Sequence, residues 1–199
     1  GSAVSLQVPG LLGALRFEAD SAGRLFALVT GAVWFVVALF SVGFLRDDPS
    51  AARLHVTGLV VLGANLGVFL AADWITLMVC FETLGLTGLL FVVHAGSESA
   101  HRAGLTYFWM TLAGGIALLA GVALLGQATG GTAIAPLPDS RAVFRGLALM
   151  LVGFGIKAGV FGLHVWLPDA HSVAPAPASA VLSGVMIKAG AFGVFRCLS

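Results

Sequence analysis

The sequence predicts an all-α fold: a polytopic bundle of about six transmembrane helices, one of them discontinuous. Mean hydropathy is +1.03, and 59% of the 199 residues are hydrophobic while only 10% are charged. In soluble domains about a quarter of the residues carry charge. The hydrophobic residues also form runs of about 20, the length that a helix needs to cross a bilayer. We therefore expect an integral membrane protein.

Each predicted helix is an apolar run bounded by polar or helix-breaking residues. The runs show no alternation of apolar and polar positions and are too long for barrel strands, which favours helices over a transmembrane β-barrel. Short breaker segments at 47–50, 97–99 and 130–139 separate some of the runs, and we expect a single domain. The six predicted spans are 24–45, 54–72, 74–95, 104–126, 143–163 and 177–198.

The segment 155–179 is expected to interrupt the fifth span. Gly159 and Gly162 follow Lys157 closely, and prolines come next at positions 168, 175 and 177. Both residue types weaken helices, and transporters place ion sites at helices broken near the middle of the bilayer. The alternative is an ordinary span followed by a proline-rich loop.

Charge and cysteine usage exclude several kinds of partner. A net charge of +1 gives no reason to expect a nucleic acid. Cys80 and Cys197 lie inside apolar runs without metal-ligand spacing, so we expect small apolar side chains, no metal site and no cofactor. Arginines divide five to three between the two ends of the helices, which is too small a difference to assign the orientation in the membrane.

Lys157 and Lys188 are the only lysines, and each lies inside a long apolar run. Burial disfavours the charged form of lysine, which can then release its proton near neutral pH, whereas arginine stays protonated. An intramembrane lysine costs about 2.5–3.5 kcal/mol on an insertion scale. Both lysines are therefore candidate proton-carrying groups. The heptamers around them, 156–162 and 187–193, differ at one position.

Glu82 is the one acid well inside a predicted span. Asp73 lies at a turn between two helices, where we expect water or headgroups to reach it. Glu82 therefore needs a buried cation, and an ion pair at about 4 Å recovers roughly 4 kcal/mol at an effective dielectric near 20. Lys157 is the preferred partner and Lys188 the second choice, since all three fall in the middle third of the bilayer. His164 is a further candidate for the proton path.

Four segments around the lysines resemble a known signature. They are FGIKAG at 154–159, LHVWLPDAH at 163–171, APAPASA at 174–180 and SGVMIKAG at 183–190. They are similar to the antiporter-like proton-translocating membrane subunits: the large membrane-arm subunits of complex I, subunits of Mrp-type antiporters, and membrane subunits of energy-converting hydrogenases and formate hydrogenlyase. The amino-acid sequence of 164–196 is most similar to the hydrogenase and Mrp-D-like branch.

The resemblance implies roles for three residues. Glu82 matches the glutamate on the family's fifth helix, Lys157 the lysine on the seventh and Lys188 the lysine on the eighth. Gly162 stands where many members have proline.

The resemblance covers about helices three to eight of a typical fourteen. It divides the chain into a lead-in segment with the first helix, 1–53, and the first of two inverted five-helix repeats, 54–198. The chain begins at Gly1 rather than at methionine, and we expect a partial or processed form of a longer protein.

The function implied is that of a proton-translocating subunit in a larger redox-driven or antiport complex of a bacterial or archaeal cytoplasmic membrane. Other membrane subunits and the bilayer would be its partners, and the redox centre would belong to those partners. Two alternatives remain open: a structural or assembly subunit that does not conduct, and a sodium/proton exchange subunit.

Overall fold

A computed structural model describes residues 4–7 and 14–199, and its helices confirm the all-α transmembrane bundle. Gly1 lies outside the described residues. The elements in chain order are β1 (Val4–Gln7), β2 (Ala14–Phe17), α1 (Ser21–Phe44), α2 (Ala51–Leu70), α3 (Trp74–Val92), α4 (Glu98–Thr129), α5 (Arg141–Ala158), α6 (Trp166–Val173), α7 (Ala176–Val181), a π-helical segment (Leu182–Met186) and α8 (Ile187–Leu198).

Within residues 4–7 and 14–199, five segments are long and apolar enough to cross a bilayer. They are α1, α2, α3, α4 and the continuous stretch Ala176–Leu198, which joins α7, the π-helical segment and α8. α4 is longer than the predicted span 104–126 because it continues through polar residues at both ends. Ser97 caps its first turn by accepting from the Ala100 amide at 3.1 Å, and Gly130, at φ 73°, ends it. Hydropathy does not identify helical turns that are made of polar residues.

A short hairpin precedes the first helix and was not predicted. β1 and β2 pair antiparallel, with Val4 opposite Phe17. β2 also forms backbone hydrogen bonds with the turn that follows α2. There the Glu18 amide donates to the Leu70 carbonyl at 2.8 Å and the Ala72 amide to the Arg16 carbonyl at 2.9 Å. The hairpin therefore covers one end of the bundle.

The expectation that water or headgroups reach Asp73 was wrong. Asp73 is only 4% exposed because residues 132–134 and β2 cover the turn. Its carboxylate caps α3, accepting from the Thr76 amide at 2.8 Å and the Thr76 hydroxyl at 3.0 Å. Asp73 is thus a buried capping residue.

Glycines set the separation of α4 and α5, the two helices that hold the centre of the bundle. A Cβ at Gly121 would lie 2.7 Å from the Gly146 carbonyl oxygen, and one at Gly153 would lie 2.7 Å from the Gly114 carbonyl oxygen. Small residues at such crossings let helix backbones approach closely in membranes. This approach brings the last turn of α5 against the middle of α4.

The predicted interruption after Lys157 is confirmed. α5 ends at Ala158, and Gly159 adopts the left-handed conformation at φ 71° while its amide donates to the carbonyls of residues 155 and 156. Gly162 repeats the positive φ at 86°, and α6 begins at Trp166. α5 therefore stops short of the predicted boundary at residue 163, and a second short helix follows.

Candidate functional site

Lys157 lies in the last turn of α5 and is buried, with 4% of its surface exposed. Its Nζ donates a hydrogen bond to the Tyr107 hydroxyl at 2.6 Å. The same nitrogen lies over two aromatic rings, 4.4 Å from the centroid of Tyr107 and 5.5 Å from that of Trp166. The interruption after α5 allows this arrangement, since α6 folds back and the Trp166 Nε1 donates to the Ile156 carbonyl at 2.8 Å.

Glu82 lies on α3 and faces the same internal cavity as Lys157. The cavity has a volume of about 10 Å³, close to the space that one water probe occupies. Its lining residues are Phe81, Glu82, Gly85, Thr111, Gly114, Gly115, Gly153, Ile156, Lys157 and Trp166. Among the described residues, the ion pairs within 4.0 Å do not include Glu82 with Lys157. The two groups therefore share a cavity without direct contact.

The Glu82 carboxylate lies against Gly115 of α4, where a Cβ would come within 2.6 Å of Oε2. On its other side Glu82 also lines an outer groove of about 240 Å³ between α3 and α4, together with Met78, Leu112, Gly115, Ile116 and Leu119. Ile116 and Leu119 are 60% and 55% exposed. Glu82 thus stands between the Lys157 cavity and the outer face of the bundle.

Lys188 takes a different position. It lies in the first turn of α8, is exposed on the surface of the described residues, and donates to the Ser183 carbonyl at 2.6 Å. That carbonyl lies in the π-helical segment. Lys188 is outside the Lys157 cavity, so the structure does not bring it to Glu82 as the second-choice partner.

His164 lies between α5 and α6 and does not line the cavity. Its ring stacks on Phe161 with the centroids 5.7 Å apart, and its Nδ1 is buried without a hydrogen-bond partner among the described residues. His171, in contrast, joins α6 to α7 through a 2.7 Å hydrogen bond between Nδ1 and the Ser179 hydroxyl.

Tyr107 is the site residue that the sequence reasoning missed. It is the only tyrosine in the chain, and it is 1% exposed at the centre of the bundle. A single phenol inside a long apolar run was the available signal, because a buried hydroxyl needs a hydrogen-bond partner. Hydropathy does not separate such a tyrosine from the neighbouring aromatic residues.

Neither cysteine takes part in the site. Cys80 packs its sulfur against Gly67, and Cys197 is buried. No group of three His, Cys, Asp or Glu side chains that could hold a metal ion occurs within residues 4–7 and 14–199.

Among the described residues, three acid–base pairs within 4.0 Å lie near helix ends: Glu98 and Arg102 pair within α4, and the other two pairs join separate segments. His94 Nε2 is 2.8 Å from Asp48 Oδ2, and this hydrogen bond lowers the pKa of Asp48, with the Ser50 amide adding to the effect. Arg196 Nη1 is 2.6 Å from Asp20 Oδ2. Burial raises the pKa of Asp20, but the hydrogen bonds from Arg196 and the Gly23 amide together lower it below its ordinary value.

These features define a polytopic integral membrane protein with a buried amine and a half-buried carboxylate lining one internal cavity. Residues 71–199 match the family described as NADH:quinone oxidoreductase/Mrp antiporter, transmembrane. The chain belongs to this family.

The relatives include one protein named as a component of a hydrogenase and one named as an antiporter subunit. Hydrogenase-4 component B of Escherichia coli is 30% identical over 189 residues, which are 92% of this chain and 28% of that protein. The putative antiporter subunit mnhA2 of Staphylococcus saprophyticus is 29% identical over 212 residues, covering all of this chain and 26% of that one. The chain thus spans less than a third of the length of these relatives.

A solved structure shares the fold. One chain of the membrane-bound sulfane sulfur reductase, an archaeal respiratory membrane complex, superposes with a TM-score of 0.84 at 27% identity. The match covers 95% of this chain and 39% of that one.

Proposed function

We propose that this chain forms the proton-translocating part of a membrane subunit in a larger respiratory or antiport complex. Lys157 would carry the proton and Glu82 would control how firmly Lys157 holds it. The observation that supports this most is the single cavity of about 10 Å³ that both side chains line. Membership of the NADH:quinone oxidoreductase/Mrp antiporter family supports the same assignment.

The electrostatic attraction between Glu82 and Lys157 would control how firmly Lys157 holds its proton. At an effective dielectric near 20, moving a unit charge from about 4 to 8 Å from another changes their interaction by roughly 2 kcal/mol. A change of this size alters a protonation equilibrium more than tenfold. A change of about 4 Å in the distance between Glu82 and Lys157 would therefore switch the lysine between holding and releasing its proton.

The position of Glu82 offers a way to drive this switch. Because Glu82 also lines the groove between α3 and α4, a charge on a neighbouring subunit could act on it from outside the bundle. Lys188 would receive the proton from Lys157 through water. An exposed amine at this depth is costly in lipid, so we propose that another part of the complex covers Lys188.

The test uses the full-length protein in its native complex, reconstituted into vesicles with a pH indicator in the lumen. Glu82→Gln and Lys157→Met should each reduce coupled proton movement at least tenfold, because each removes one charge from the cavity. Glu98→Gln is the matched control. Glu98 begins α4, its side chain is 86% exposed, and it pairs with Arg102 at 3.5 Å.

The same assay separates the alternatives. Unchanged proton movement in both cavity variants would favour a structural or assembly subunit. Transport that depends on Lys157 and also requires sodium in the buffer would favour sodium/proton exchange.

A further inference from the structure

The Tyr107 hydroxyl joins three helices at the site. It accepts the hydrogen bond from Lys157 Nζ of α5 at 2.6 Å and donates its own to the Gly85 carbonyl of α3 at 3.0 Å. A phenol has one proton to donate and can also accept. Because that proton goes to Gly85, the oxygen is left as an acceptor facing the amine.

The tyrosine ring has little freedom to move. It packs edge-on against Trp166 with the centroids 5.1 Å apart and lies beneath the Lys157 amine. Glycines on α3 make room for the hydroxyl: a Cβ at Gly88 would lie 2.5 Å from it, and one at Gly85 would lie 3.6 Å from Lys157 Nζ. The acceptor is therefore held in a fixed place.

An amine can donate to this acceptor in both of its protonation states. The ammonium form has three protons and the neutral form two, so the hydrogen bond to Tyr107 persists after deprotonation. The attraction of Glu82, in contrast, acts on the charged form alone. The phenol thus differs from the carboxylate in holding the lysine throughout a cycle of protonation.

We propose that Tyr107 is a positioning residue that holds the Lys157 amine away from the Glu82 carboxylate, so that the two charges interact across the cavity without closing into a contact ion pair. This inference rests on the proposed function, because it names the group that keeps the pair separated. Without the hydroxyl, the amine would turn to Glu82, because its carboxylate is a charged acceptor lining the cavity, whereas Thr111 offers only a neutral hydroxyl there.

Tyr107→Phe tests the inference, since it keeps the ring and its contact with the amine and removes the hydroxyl alone. In the reconstituted complex, the alkaline limb of the pH profile of proton movement should shift upward by about one unit, because a contact with Glu82 stabilises the ammonium form. The rate at neutral pH should fall at least fivefold. Thr106→Val is the matched control, because it removes a hydroxyl from the neighbouring position of α4. Among the described residues, that hydroxyl bonds only to the Arg102 carbonyl of the same helix.

Replacement of Tyr107 by 3-fluorotyrosine provides a second variant that retains the shape of the side chain. Fluorine makes the phenol oxygen a weaker acceptor, and the alkaline limb should move in the same direction by a smaller amount. A wild-type pH profile in both assembled variants, in a complex where Lys157→Met abolishes transport, would overturn the positioning role and leave the proposed function intact. If Lys157→Met leaves transport unchanged, the proposed function fails instead, and the positioning role fails with it.

Discussion

Lys157 shows how a lysine can be accommodated inside a membrane bundle without an ion pair. Its insertion costs about 2.5–3.5 kcal/mol. A hydrogen bond to a charged group contributes about 1.5–3 kcal/mol, and a desolvated cation over an aromatic ring about 2 kcal/mol. Tyr107 supplies both interactions. Because these contributions are comparable with the cost, Glu82 is not needed to keep Lys157 in place and remains free to modulate it.

His94 and Asp48 form a second polar contact at the residue scale. Buried His94 follows α3, and it also accepts on its carbonyl a hydrogen bond from Arg53 Nη2 at 3.1 Å. Asp48 follows α1, so the cluster ties the α1–α2 connection to the end of α3. Since the pKa of Asp48 is lowered in the folded protein, its contribution to stability is present above the ordinary aspartate pKa. That contribution is lost as the pH falls through the lower, folded value.

Asp48→Asn should therefore lower the thermal midpoint near pH 7, and the difference from the wild type should shrink as the pH approaches 3. Thermal unfolding of the detergent-solubilised full-length protein at several pH values measures this. Asp47→Asn, at the exposed neighbouring position, is the control and should show little effect. A difference for Asp48→Asn that stays constant from pH 7 to 3 would contradict the assignment of the stabilisation to the charged carboxylate.

At the scale of elements, the ends of α5 and α6 decide the environment of the site. α5 stops one residue after Lys157, and the Trp166 side chain of α6 then donates to the Ile156 carbonyl in the buried last turn of α5. An uninterrupted helix would carry Trp166 away from Lys157 along its axis. The interruption therefore allows the Trp166 ring to pack against the Lys157 amine.

Gly159→Ala should destabilise the protein by about 1–2 kcal/mol, because Gly159 has φ 71° and the left-handed region is unfavourable for residues with a Cβ. The Cβ itself would meet Leu167 at 3.4 Å, an ordinary contact, so the conformational cost should dominate. Gly63→Ala is the control, since Gly63 is helical and its Cβ would meet nothing within 4 Å. Thermal midpoints would reveal the difference, and equal midpoints for the two variants would contradict it.

The π-helical segment places Lys188 on the outer surface. It widens the helix just before α8, and the Ser183 carbonyl within it accepts from Lys188 Nζ. Such segments frequently occur at functional sites. Here the local geometry satisfies the amine within its own helix and directs it away from Lys157.

At the scale of the whole molecule, one ion pair joins the first helix of the described chain to the last. Arg196 of α8 reaches Asp20, which also caps α1 by accepting from the Gly23 amide at 2.7 Å. The Arg196 side chain is 12% exposed and that of Asp20 is 42% exposed, so solvent screens part of the interaction. α1 otherwise keeps much of its apolar surface exposed.

A double-mutant cycle with Asp20→Asn and Arg196→Gln should give a coupling energy of about 1 kcal/mol near pH 7, the upper range for partly exposed pairs. Because the pKa of Asp20 is lowered in the folded protein, the coupling should disappear only at strongly acidic pH. Asparagine at position 20 retains a side-chain oxygen that can cap α1. The cycle therefore measures the ion pair without including the loss of the cap. A coupling energy near zero at pH 7 would show that the ion pair does not hold α1 to α8.

The sequence by itself determined the membrane class, the approximate helix positions and the interruption after Lys157. Each of these follows from local composition: hydropathy over about 20 residues decides whether a segment enters a bilayer, and the glycines at 159 and 162 weaken the helix where they stand. The signature around the lysines also sufficed to predict the family.

Only the tertiary structure decided where each charged side chain points. Tyr107 and Lys157 are 50 residues apart in the chain, and they meet because glycines on α4 and α5 let the two helices pack closely. The direction of a side chain depends on the rotation of its helix about its axis, which contacts from distant segments determine. For this reason the sequence identified Lys157 and Lys188 as two similar lysines, whereas the fold buries one beside Tyr107 and exposes the other.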